Sequence, residues 1–161
     1  SEEFSVAVCM GSDSASPVMR AATAILTELG ITNTAFVLSA HRMPLEMAAF
    51  AQNARNNGFN VIIAGAGGAA HLPGMMAALT TLPVIGVPVS ATALDGMDSL
   101  LSIVQMPAGI PVATVAIDNS KNAGLLAARI LGVGDPGLAA QLESYARELN
   151  AQAAAKQSNP I

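Results

Sequence analysis

Between Asn56 and Ala93 the chain carries no Asp, Glu, Lys or Arg, yet nine glycines and prolines interrupt the run: Gly58, Gly65, Gly67, Gly68, Pro73, Gly74, Pro83, Gly86 and Pro88. A helix that spans a bilayer needs about 20 consecutive apolar residues, and these breaks forbid one here. The same pattern suits short buried strands joined by turns. Five apolar runs of strand length recur along the chain, at Ser5 to Met10, Thr34 to Leu38, Val61 to Ala64, Val84 to Val87, and Val112 to Ile117. Helix signals separate them. The clearest is Ser16-Pro17 as cap and first helical residue, followed by Val18, Ala22, Ile25, Leu26 and Leu29 at helical spacing, with Gly30 as the stop. A second unit runs from Pro44 through Leu45, Met47, Phe50, Ala51 and Ala54 to Gly58.

Further helices are predicted over Leu72 to Leu79, Leu94 to Gln105, Asn122 to Leu131 and from about Gly137 to Ala155. Strands apolar on both faces that alternate with helices predict a parallel sheet covered on both sides. The expected architecture is α/β, a three-layer sandwich with a parallel sheet, flavodoxin-like. With 161 residues and no long linker, one domain over 1–161 is expected.

Only 11% of residues are charged, against about 25% in an average globular domain. A lone monomer needs more charge on its surface, so self-association is expected, with the C-terminal helix packing on a neighbouring subunit. A net charge of -4, with seven Lys and Arg and no basic cluster, argues against nucleic acid. The single Cys9, among Val6, Ala7, Val8 and Met10, reads as a small buried hydrophobe. The N-terminal residues show no basic segment followed by an apolar one, so a cytoplasmic location is expected.

Ligands of open parallel sheets bind beyond the carboxyl ends of the strands. After the first run comes Gly11-Ser12-Asp13-Ser14, a hydroxyl-rich turn leading into a helix, suited to a phosphate or to simple capping. After the second come Ser39, His41 and Arg42, a proton carrier beside a permanent cation. After the third comes Gly65-Ala66-Gly67-Gly68, then His71 and Leu72, in a stretch with no charged side chain. The only other histidine of the chain is His41. An imidazole, with an ordinary pKa of about 6.5, suits proton transfer near neutrality, although helix capping is an equally ordinary use for His71. Gly65, Gly67 and Ala70 formally match a dinucleotide-binding fingerprint, but no acidic residue follows near Ile85 to Ser90 to hold a ribose, so an oxidoreductase is disfavoured. Asp95 and Asp98 complement a helix dipole more simply than they bind metal, and no metal site is expected.

Taken together, Met10-Gly11-Ser12, Ser39-Ala40-His41-Arg42-x-Pro44, the segment Ala64 to Met75, Gly86-Val87-Pro88 and the segment Asp98 to Pro107 resemble the bacterial-type 5-(carboxyamino)imidazole ribonucleotide mutase family. The resemblance implies an isomerase of de novo purine synthesis that moves a carboxylate from an exocyclic amine to carbon 4 of an aminoimidazole ring. It further implies a small-molecule nucleotide substrate, a homo-octamer and no metal or organic cofactor. By residue match, His41 resembles the family's general acid/base. Arg42 and Ser12 resemble its phosphate ligands, and Ser39 and the loop Gly65 to Leu72 its pocket lining. His71 matches a family histidine. The related carboxylase class has Arg-Ser-Asn in place of Ala-Gly-Gly in this loop. One departure stands out: the family pattern has aspartate and tryptophan where this chain has Ala15 and Ser16. That aspartate contacts the nucleotide, so its loss motivates a second reading, a non-catalytic nucleotide-binding paralogue.

Overall fold

The computed structural model describes residues 3–91 and 93–157. Five strands, β1 (Ser5–Met10), β2 (Thr32–Val37), β3 (Val61–Gly67), β4 (Val84–Val89) and β5 (Ala113–Thr114), form one parallel sheet in the order β2-β1-β3-β4-β5. Six helices alternate with them: α1 (Ser16–Glu28), α2 (Pro44–Asn53), α3 (Leu72–Ala77), α4 (Met97–Val104), α5 (Ser120–Gly132) and α6 (Pro136–Gln157).

The expected three layers follow from the alternation of side chains along each strand. Ile63 and Ile85 face a core built with α1, α5 and the start of α6. Ile62 and Ala64 face a second core with α2, α3 and α4. Ile62, Ile63 and Ile85 are fully buried, each worth about 1.5–3 kcal/mol of apolar transfer. α1 and α5 approach closely because Gly124 lacks a side chain: a Cβ there would collide with Ile25 Cγ2. Cys9 is fully buried, as expected, and burial pushes its thiol pKa up to about 12. It stays protonated and unreactive.

Several sequence expectations shift: β3 runs on to Gly67 rather than ending at Ala64, and β4 to Val89 rather than Val87. β2 is an edge strand whose residues are exposed or half-buried, so the two-sided cover stops short of it. α1 begins one residue earlier than expected. Ser12 caps a 3₁₀ turn over Asp13–Ala15, which leaves Ala15 rather than Ser16 at the helix cap. α4 begins at Met97 rather than Leu94. The expected fifth strand to Ile117 ends at Thr114. Pro88, level with Ala116 in that register, has no N–H to donate, so the ladder stops. Beyond it the backbone bonds to β4 are Val115 N–H to Gly86 O and Asp118 N–H to Pro88 O. No helix among the described residues is long and apolar enough to cross a membrane.

Candidate active site

The sheet order changes direction between β1 and β3, and the chain beyond their carboxyl ends encloses a cleft of about 430 Å³. That volume falls within the range of small-molecule sites. Gly11, Ser12 and Ser14 line it after β1, and Ser39, His41 and Arg42 after β2. From β3 and its loop come Ala66, Gly67, His71 and Leu72. These ten were expected from sequence. Asp13, Gly65 and Gly68 were expected as well, but they lie outside the wall.

Each exception has a local cause. Asp13 Oδ1 accepts a hydrogen bond from Ser12 Oγ at 3.3 Å, within the turn that Ser12 caps. Gly65 lies within the β1–β3 ladder, its carbonyl taken by Gly11 N–H, and a Cβ there would meet the Met19 thioether. Gly68 turns its backbone away from the cleft. Its N–H donates to Ser99 Oγ at 2.9 Å, and that fully buried hydroxyl donates to Val89 O at 2.8 Å. α4 therefore clamps the glycine loop to β4 from behind. The clamp needs Gly67, where a Cβ would stand 2.8 Å from Ala91 Cβ and 3.0 Å from Val89 O. Any larger residue there would push apart the two strand ends that form this wall.

The reactive groups sit together at the mouth. His41 Nε2 and His71 Nδ1 are 2.7 Å apart, with the rings at 85°. His71 occupies the cap position of α3 but makes no capping bond with its side chain, which excludes the capping role. One proton fits between the two nitrogens, so the pair holds at most three ring protons and cannot become doubly cationic while in contact. A pair in this contact is built to pass a single proton, the exchange a general acid/base makes. Ser39 Oγ accepts from both Arg42 N–H and Arg42 Nε–H at 3.2 Å, which anchors the guanidinium stem beside His41. Arg42 is the one permanent charge in the wall, and no carboxylate lines it, so the cleft favours an anion. Among the described residues, no three His, Cys, Asp or Glu side chains converge as a metal would require.

Sequence reasoning missed Val18, Val89, Ser90 and Ala91 in the wall, while Ala15, Ala40 and Ala69 fall within segments it had singled out. The end of β4 was open to the same strand-end rule that found the other segments. It was read only for an acidic residue, and its hydroxyl was passed over.

Residues 5–152 match the AIR carboxylase family. The chain is 59% identical over 140 residues to the N5-carboxyaminoimidazole ribonucleotide mutase of Thermotoga maritima, which spans 87% of this chain and 82% of that protein. It is 58% identical over 140 residues to the phosphoribosylaminoimidazole carboxylase of Saccharomyces cerevisiae, spanning 87% of this chain and 24% of that longer protein. The crystal structure of Treponema denticola PurE is similar over 94% of both chains, with a TM-score of 0.84 and 29% sequence identity.

Proposed function

Because the chain belongs to the AIR carboxylase family, we propose that it is an isomerase of purine biosynthesis converting 5-(carboxyamino)imidazole ribonucleotide to 4-carboxy-5-aminoimidazole ribonucleotide. The observation that carries this reading is the His41–His71 pair set beside Arg42 in an uncharged, glycine-walled cleft. The phosphate binds Arg42 and the hydroxyls of Ser12, Ser14 and Ser39. The carbamate N–C bond breaks, and His41 delivers a proton to the exocyclic nitrogen. Carbon 4 of the ring then attacks the released carbon dioxide, and its proton returns to His41. One proton leaves the histidine and one comes back, which is the exchange that the pair can make. His71 holds His41 in place between the two steps. No metal or organic cofactor takes part.

Carbon dioxide has to stay in the cleft between the steps. Ala66, Gly67 and Ala69 present small apolar groups that keep water out without offering a competing nucleophile. His41, Arg42 and His71 are exposed in the isolated subunit, so the cleft needs a further wall. A second copy supplies it. Met97, Leu101 and Val104 form one apolar face of α4, 52%, 52% and 47% exposed, on the helix that clamps the glycine loop. The long α6, with Leu138 its one buried residue among those described, packs on another neighbour. The assembly is a homo-octamer in the cytoplasm.

Nothing favours the non-catalytic reading of Ala15, since the relatives named above carry enzyme names. Incubating the purified protein with 5-(carboxyamino)imidazole ribonucleotide tests the proposal. The expected result is formation of the carbon 4 carboxylate well above the uncatalysed rate. Tight binding without product would refute it.

A further inference from the structure

Ser90, at the carboxyl end of β4, lines the same cleft, and Asp118 holds it from behind. Asp118 Oδ1 accepts from Ser90 N–H at 2.8 Å, and Oδ2 accepts from the Ser90 hydroxyl. The aspartate adopts φ 62°, a left-handed conformation that costs a residue with a side chain about 1–2 kcal/mol. Its own N–H is bonded to Pro88 O at 2.8 Å, so the residue is tied to β4 at both backbone and side chain.

The chemistry of this pair is directional. With its proton committed to the carboxylate, the Ser90 oxygen offers only lone pairs to the cleft. It accepts from a neutral donor. It does not suit a phosphate or carboxylate, which the charge of Asp118 would repel. The ligand's anionic end therefore belongs with Arg42, and its hydroxyl-bearing part with Ser90. Ala15 faces the cleft with a methyl group alone, at the position where the family pattern places a nucleotide-contacting aspartate.

We propose that Ser90, with its hydroxyl oriented by Asp118, accepts a hydrogen bond from a ribose hydroxyl of the substrate and replaces the contact that Ala15 cannot make. Ser90 is a binding residue and Asp118 a positioning residue. The inference rests on the function proposed above.

The test compares kcat and KM for 5-(carboxyamino)imidazole ribonucleotide in four proteins: wild type, Ser90→Ala, Asp118→Gly, and Ser90→Ala combined with Ala15→Asp. Loss of one such hydrogen bond predicts a KM rise of about tenfold in Ser90→Ala with kcat within about twofold. Asp118→Gly relieves the left-handed backbone but removes both side-chain bonds, so its melting temperature falls by no more than a few degrees while KM still increases several-fold. Ala15→Asp restores KM in the double variant. A KM that does not change in Ser90→Ala overturns the inference. So does a KM rise accompanied by a fall in melting temperature of more than a few degrees and not rescued by Ala15→Asp, because that pattern marks a structural role. Absence of wild-type turnover overturns the function itself, and this assignment with it.

Discussion

Replacing His41 with asparagine is expected to lower kcat by about 10²–10⁴-fold while the substrate Kd changes by less than about threefold. The rate loss is the usual contribution of a positioned general acid/base. Asparagine keeps a polar group that can still bond His71 Nδ1, so the loop holding Ser39 and Arg42 should keep its shape. The phosphate contacts survive, and with them most of the binding. Single-turnover rates and calorimetric binding on the same preparation separate the two effects. A variant with near-normal kcat would remove His41 from the chemistry, and a variant that no longer binds would recast it as a binding residue.

The second large effect concerns assembly. Leu101 stands at the centre of the apolar face of α4, between Met97 and Val104. Leu101→Glu would place an unpaired carboxylate in the proposed contact, and an uncompensated buried charge costs about 3–5 kcal/mol. The wild-type protein is expected to sediment at a multiple of the 16.2 kDa chain, and the variant at a smaller multiple, because the α6 contact remains. Turnover should fall with the assembly, because the cleft then loses its outer wall. A wild-type protein that sediments at 16.2 kDa would contradict the self-association account.

Much of this molecule could be read from its sequence because its interior is written in unbroken apolar runs. β1, β3 and β4 are buried almost throughout, and no alternation obscures them. β3 runs on to Gly67, three residues past the expected Ala64, because Gly65 to Gly67 read as a loop, and β2 and β5 were also misplaced, for different reasons. β2 is an edge strand with Thr32 and Asn33 at its start, so its apolar signal begins late. β5 is ended by a proline on its neighbour, a tertiary effect that no window on Val112 to Ile117 contains.

The site divides in the same way. His41, Arg42 and the glycine loop were legible because titratable and charged groups are scarce and sit at strand ends. The contact between His41 and His71 spans 30 residues and was not visible. Gly68 lies outside the cleft wall because glycine flexibility says nothing about which way an N–H will point, and here it points to Ser99. Ser90 and Asp118, 28 residues apart, meet only through the β4–β5 pairing.

On the proposed mechanism one cleft releases carbon dioxide from the carbamate and returns the same molecule to carbon 4. The most direct measurement uses substrate carrying ¹³C in the carbamate carbon, turned over once in unlabelled bicarbonate, with the product carboxylate read by mass spectrometry. Retention of most of the label is the predicted result. A product carboxylate that takes its carbon from the bicarbonate pool would contradict it and would make the chain a carboxylase that draws on free carbon dioxide.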